Sequence, residues 1–352
     1  MKIQVVEFPF SRDAKSGVGI DRYTYNLLEF FDRSSISYMN LGIGRESNFF
    51  KRHFAMEPVV VKRLVLAKAD IYHAFSPTGG RILGLMEKHP LVTTIHDVIP
   101  FVFKKRNRVN YTMMIVSTMI SVKKSDAIIV PFPSTRDFLV DRLNVSRNKV
   151  FVIPYGSIKQ KYKQKAISAD NRNVKRIFFA GGTTPIDRGG KTVLKAFSRI
   201  FKQRKDVELV VSSKGPQAEQ LRSFSQSLDR KLPVHFMEFI PEDEFVEFIS
   251  NCDLVMYPSS LGFGYIALQA MDLGVPVLGA RSLDMPDFLP GEEYICEMDD
   301  YECFSSKALD LIKGPPGTSV KKEELVKYSS RFSNDEMGAK TIEVYDRLTS
   351  TT

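Results

Sequence analysis

Short apolar runs alternate with amphipathic segments from one end of the chain to the other. A run of four to six aliphatic or aromatic residues has the length of a buried strand. Apolar residues that return every three or four positions mark one face of a helix. In the first half this pattern predicts strands at 3–7, 70–75, 91–95, 127–130 and 150–153, with helices at 20–31, 111–122 and 135–142. In the second half it predicts strands at 176–180, 207–212, 234–236, 254–257 and 276–279, and helices at 191–201, 219–228, 242–249 and 264–273. A last helix is predicted at 334–348, opening on Asn334 as its cap with acidic residues in its first turn.

Strands and helices that succeed one another in this way describe a parallel sheet with helices on its faces. A break falls at KQKYKQKAISADNRN (159–173), which is polar and poor in large aliphatic residues and reads as a linker. The expected organisation is a first α/β domain at 1–158, a linker at 159–174, a second α/β domain at 175–333 and a C-terminal helix at 334–352. Packing of that helix on the first domain is left open. Two such domains imply a cleft between them as the place for a ligand.

With 352 residues, 43% of them hydrophobic and 26% charged, the chain has the size and composition of two globular domains. No apolar run reaches the roughly 18 residues of a membrane span. The N-terminal MKIQVVEFPF lacks the apolar stretch and cleavage site of a secretory signal, so a cytoplasmic location is expected. Cys252, Cys296 and Cys303 show neither zinc-ligand nor redox spacing and are expected to be reduced structural thiols. Charge is uneven: residues 1–170 hold 27 Lys and Arg against 14 Asp and Glu, and residues 171–352 hold 23 against 27. The basic half suits an anionic membrane surface or a phosphorylated acceptor, and a merely well-solvated surface equally. No nucleic-acid recognition motif accompanies the basic residues.

Four segments carry candidate chemistry. Gly17 and Gly19, in SGVG, follow the first strand and open a helix, where backbone N–H groups can meet a phosphate. A tight βα turn would look the same. His96 closes the strand LVTTI at its carboxyl end, as His73 closes the preceding one; either imidazole could bond a sugar hydroxyl or a phosphate, or be structural. In FFAGGTTPIDRGGKTVLKAF (178–197), Gly181 and Gly182 end a strand and Arg188 and Lys191 flank a helix start, as a diphosphate clamp would require. The spacing is not that of a Walker phosphate loop. In SSLGFGYIALQAMDLGVPVLGA (259–280), Gly262, Phe263 and Gly264 turn tightly into a helix. The N–H groups of residues 263–266, Tyr265 and Ile266 among them, would face an anion, with Gln269 a turn further on.

Together these pieces resemble the retaining glycosyltransferases of family 4 (group 1), which have the GT-B fold of two Rossmann-like doubly wound domains facing each other across a cleft. The similarity runs through SGVGIDRYTYNLLEF (16–30), ADIYHAFSP (69–77), VTTIHDVIP (92–100), DAIIVPFPSTRDFL (126–139) and KVFVIPYGS (149–157). It continues through residues 178–197, 239–280 and MPDFLPG (285–291). The resemblance implies a nucleotide-sugar donor held mostly by the second domain and a glycan or lipid-linked acceptor held mostly by the first. Transfer would proceed with retention and without metal or cofactor. By the same resemblance Gly17 and Gly19 would approach the donor phosphate, and His96 would contact the transferred sugar or support the leaving group. Residues 262–266 would wrap sugar and diphosphate, and Phe239 and Ile240 would lie against the base.

Three positions depart from the family's pattern. Leu261 and Gln269 stand where it has two glutamates eight residues apart, and Gly182 replaces the arginine of its Gly-Arg pair. Glutamine can still bond ribose hydroxyls. Leucine offers nothing to developing charge. Arg188 stands near the family's clamp lysine, allowing for a one-residue insertion. The sequence therefore supports two readings, an active hexosyltransferase-like enzyme, peripheral at the inner membrane face, and a catalytically inactive glycosyltransferase-like binding subunit.

Overall fold

The computed structural model describes residues 3–10, 19–44, 68–102, 108–157, 173–182, 189–238, 240, 242–259, 264–314 and 322–350. Internal contacts divide the chain into two compact units, one of residues 1–156 and 332–352, the other of residues 157–331.

The first unit runs β1 (Ile3–Phe10), α1 (Gly19–Arg33), β2 (Tyr38–Gly44), β3 (Ile71–Ala74), α2 (Pro77–Leu85), β4 (Leu91–Thr94), α3 (Ile99–Val102), α4 (Arg108–Lys124), β5 (Ala127–Val130), α5 (Pro133–Leu143) and β6 (Val150–Val152). Its parallel sheet has the order β2-β1-β3-β4-β5-β6. The chain leaves β1 on one side for β2 and resumes on the other with β3, so the strand order reverses between β1 and β3. Every residue of β3, β4 and β5 is buried, as suits strands covered on both faces; β5 is apolar throughout, whereas β3 holds His73 and β4 holds Thr93 and Thr94.

Three elements of this unit, β2, α2 and the short α3, are additions to the sequence reading. β2 is an edge strand that carries Asn40, Gly42 and Gly44, residues that weaken any strand signal. α2 begins Pro-Thr-Gly-Gly, a loop composition, yet Ser76 caps it by accepting from the Gly79 N–H. Its glycines answer to packing. A Cβ at Gly80 would lie 2.5 Å from Thr93 Oγ1, and one at Gly84 2.6 Å from Lys124 Cβ.

The second unit runs β7 (Lys175–Gly182), α6 (Gly190–Gln203), β8 (Val207–Ser213), α7 (Pro216–Leu228), β9 (Val234–Met237), α8 (Glu242–Ser250) and β10 (Leu254–Tyr257). It continues with α9 (Tyr265–Asp272), β11 (Val277–Ala280), α10 (Met285–Phe288), β12 (Ile295–Cys296), α11 (Tyr301–Leu311) and α12 (Lys322–Ser329). The sheet order, β12-β11-β10-β7-β8-β9, is the 3-2-1-4-5-6 order of a dinucleotide-binding fold when read from β9, with its reversal between β7 and β10. α6 buries Val193, Leu194, Ala196, Phe197 and Ile200, the three-and-four spacing of one helical face, against Ile177, Leu209, Val211 and Met256 of the sheet. Beneath this core Lys175 Nζ meets Asp253 Oδ1 at 3.1 Å, both side chains fully buried.

The last helix, α13 (Asn334–Thr349), belongs by contact to the first unit and lies on α1. Arg33 donates to Asp335 at 2.8 Å and Asn334 Nδ2 to the Asn26 carbonyl at 3.0 Å. Its cap is Ser333, whose hydroxyl accepts from the Glu336 N–H, so Asn334 is the first helical residue and not the cap expected. Cys296 and Cys303 form a disulfide, contrary to the expectation of reduced thiols. The strand end at β12 and the first turn of α11 bring the two Cα atoms to 5.8 Å, a proximity that a spacing of seven residues does not announce. Cys252 remains a buried free thiol.

Candidate functional site

Within the second unit, β7 and β10 are neighbours in register, Leu254 opposite Ile177 and Met256 opposite Phe179. Their carboxyl ends open at the reversal of strand order, where sheets of this kind hold ligands. Gly181 and Gly182 end β7, with Gly181 against Ser213 of β8. Gly189 is the N-cap of α6, with φ of +77°. A Cβ there would lie 2.7 Å from the Pro258 carbonyl oxygen and 2.8 Å from the Pro258 ring. Glycine is therefore required twice over, by conformation and by the approach to the turn that follows β10. Gly264 caps α9 in the same manner, since a Cβ there would overlap the Tyr257 hydroxyl.

Among the described residues no side chain caps α6 or α9. Each helix start presents backbone N–H groups and the positive end of its dipole, and both rest on the end of β10, Gly189 against Pro258 and Gly264 against Tyr257. Such an arrangement suits a diphosphate. Tyr265 and Ile266, in the first turn of α9, are half-buried, and Gln269, one turn on, is buried. Lys191, in the first turn of α6, is exposed with its ammonium 5.6 Å from the Phe224 ring centroid on α7. Ile240 is buried. Gly17, Arg188, Phe239, Gly262 and Phe263 lie outside the described residues, as does Leu261; of Gly19, which starts α1, the backbone alone is described.

Two contacts here escape sequence reasoning. Thr192, in the first turn of α6, donates to Asp299 at 2.9 Å, so the loop closed by the disulfide reaches the start of α6. Ser157 hydrogen-bonds Asp272 at the end of α9. Pairs 107 and 115 residues apart leave no local pattern to find.

In the first unit His96 is partly exposed and held at both ring nitrogens. Nε2 donates to the Phe75 carbonyl at 2.8 Å and Nδ1 meets the Tyr155 hydroxyl at 3.0 Å. A carbonyl can only accept, which puts the proton on Nε2 and makes Tyr155 the donor to Nδ1. The ring stacks on Tyr155 and takes the edge of Tyr23. Burial lowers its pKa to about 4, opposed by the Phe75 bond, so the imidazole is neutral at pH 7. His73 is buried completely, between Tyr345 of α13 at 2.5 Å and Thr94 at 2.8 Å, and Thr94 also meets Tyr23 at 3.1 Å. Burial first, and then the neighbouring His96, lower its pKa to about 3. His73 is thus a structural group, the hub of a network joining α1, β3, β4 and α13.

Two family models match the chain. One described as glycosyl transferases group 1 covers residues 174–314, and one described as Glycosyltransferase Family 4 covers residues 19–157. A Bacillus subtilis (strain 168) protein, the uncharacterized glycosyltransferase YqgM, is 24% identical over 224 residues, 62% of this chain and 60% of that protein. The sulfoquinovosyl transferase SQD2 of Arabidopsis thaliana is 22% identical over 257 residues, 68% of this chain and 48% of its own length. The chain thus matches about half to three fifths of these relatives. Among solved structures, Anabaena HepE in complex with UDP and glucose has a TM-score of 0.73 at 14% identity, covering 99% of this chain and 100% of its own.

Proposed function

The chain belongs to the family 4, group 1 glycosyltransferases, and on that premise we propose that it moves a sugar from a nucleotide-sugar donor to a glycan or lipid-linked acceptor, with retention and without a metal ion. The observation that carries this is the pair of glycine-capped helix starts, α6 and α9, that both rest on the end of β10 at the strand reversal, Gly189 on Pro258 and Gly264 on Tyr257. The donor diphosphate would lie against their N–H groups, with Arg188 and Lys191 supplying positive charge as the leaving group forms. Ile240 and Phe239 would lie against the base, residues 262–266 around the sugar, and Gln269 would bond the ribose. Gly17 and Gly19 would also approach the phosphate.

His96 would serve as a neutral group. Its low pKa removes it as an imidazolium donor at pH 7, and binding a sugar hydroxyl through Nδ1 would require the Tyr155 bond to open. Leu261 and Gln269 in place of two glutamates favour a second reading, a relative that binds without turnover.

A screen of uridine, guanosine and adenosine diphosphates and their sugar conjugates tests both. A ligand at 100 times its Kd adds about 2.7 kcal/mol of stability, visible as a thermal shift. Release of nucleoside diphosphate from one conjugate, in EDTA and with an α-configured product from an α-configured donor, supports the first reading. A thermal shift without release under any acceptor supports the second. Silence across the panel would overturn both.

A further inference from the structure

The described part of α4 buries the small polar Ser117, Thr118 and Ser121 together with Val122, and its outer face carries Val116 at 38% exposure, Met119 at 53% and Lys123. The polar side suits the close approach of α2: a Cβ on Gly80 would come 2.7 Å from Ser121 Cβ, leaving no room for larger residues. Thr118 donates to the Met114 carbonyl and Ser121 to the Thr118 carbonyl, both at 2.9 Å, so these hydroxyls are satisfied inside the helix. Nothing of this kind explains the outer stripe. Residues 116, 119 and 123 follow one another at three and four positions and so share one face.

The stripe ends in a cavity of about 520 Å³. Met119 and Lys123 line its α4 side, Arg142 comes from the end of α5, and Ser146 and Lys149 from the turn into β6. Lys123 and Arg142 are exposed, and Lys149 gives one hydrogen bond, to the Ser125 carbonyl. The surrounding segment, 101–150, has ten Lys and Arg against three Asp and Glu. Of those three acids, Asp137 is already bound by Arg136 and Arg147, and Asp126 by His89 and the Leu91 N–H. The exposed residues Leu85 and Val102, on α2 and α3, add to the apolar surface of this unit.

We propose that the outer face of α4 and the cavity at its end dock on a bilayer containing anionic phospholipid, Val116 and Met119 entering the interface while Lys123, Arg142 and Lys149 meet the phosphates. An aliphatic stripe has no use for a nucleic acid or another soluble polyanion, and a cationic cavity has none for a neutral apolar partner. A charged interface with hydrocarbon beneath it takes both. The inference rests on this surface alone and holds or fails independently of the sugar-transfer reading.

Sedimentation of the full chain with vesicles of phosphatidylcholine, with and without phosphatidylglycerol, tests it. The protein should pellet with the anionic vesicles at low salt and be released at high salt. The double variant Lys123→Glu, Arg142→Glu should bind roughly a thousandfold more weakly, at about thirtyfold per reversed charge. Met119→Ser should weaken binding several-fold. Lys313→Glu, in the second unit, should bind as the parent does, and unchanged far-UV spectra and melting would show that all variants fold. Equal binding to neutral vesicles, undiminished binding by the double variant, or no pelleting of the parent with anionic vesicles would each overturn the proposal. A dimer that dissociates on Met119→Ser, without vesicle binding, would assign the face instead to a second copy of the chain.

Discussion

Gly189 lies against Pro258 so closely that a β-carbon at position 189 would come within 2.7 Å of the Pro258 carbonyl oxygen. Through that contact the start of α6 takes its position from the end of β10, a strand some 70 residues later in the chain. The start of α9 rests on the same strand end, Gly264 against Tyr257, so the two helix starts that would hold a diphosphate share one support.

Gly189→Ala should separate them. The alanine faces both the clash and a φ of +77°, a combination that costs about 1–3 kcal/mol. Nucleotide affinity should fall at least tenfold in calorimetric titration, a larger relative loss than the modest drop in melting temperature. Retained affinity would separate this contact from ligand binding.

Lys175 and Asp253 are paired at 3.1 Å with no access to water, and Asp253 also accepts the Arg176 N–H at 2.8 Å. Removing one partner strands the other charge. Asp253→Ala should lower unfolding free energy by about 3–5 kcal/mol in urea titration. The apolar pair Lys175→Met, Asp253→Leu should recover much of that loss, because an apolar pair leaves no charge unsolvated.

The two histidines set an acid limit for the first unit. Their pKa values fall on folding, from 6.5 to about 3 for His73 and to about 4 for His96. Below pH 6.5 the unfolded chain takes up protons that the folded chain refuses, so stability declines as pH falls. Each histidine contributes a slope of up to about 1.4 kcal/mol per pH unit, from pH 6.5 down towards its folded pKa. Chemical denaturation from pH 7 to 4.5 should show that decline, and His73→Gln should flatten it. An unchanged slope in the variant would place the titration elsewhere.

Thiol labelling should distinguish the cysteines. Alkylation of the unreduced, denatured protein should mark Cys252 alone, and prior reduction should add Cys296 and Cys303. Mass spectrometry reads the count directly. Three labels before reduction would dismiss the disulfide.

Strands β5 and β10 were legible to the residue because burial on both faces leaves them no polar position. The long faces of α1 and α6 were legible for the complementary reason, a regular spacing of apolar side chains. β2 was hidden by its glycines and α2 by Pro77 and its Gly79–Gly80 pair, where close packing against α4 outweighs propensity. At the candidate site the glycine clusters mark where loops turn, yet nothing in them names Pro258 or Tyr257 as the surface approached. His96 was visible as a strand-end imidazole. Its engagement by Phe75 and Tyr155, 21 and 59 residues away, was not.

The bond between His73 and Tyr345 joins residues 272 positions apart, and the whole second unit is encoded between them. On the ribosome, at 5–20 residues per second, the first unit must wait roughly 15–50 s for the helix that completes its network. Over that interval the second unit, contiguous in sequence, can finish folding while its predecessor still lacks α13. The second unit can thereby be complete before the first, and His73 spends the chain's synthesis without its Tyr345 partner.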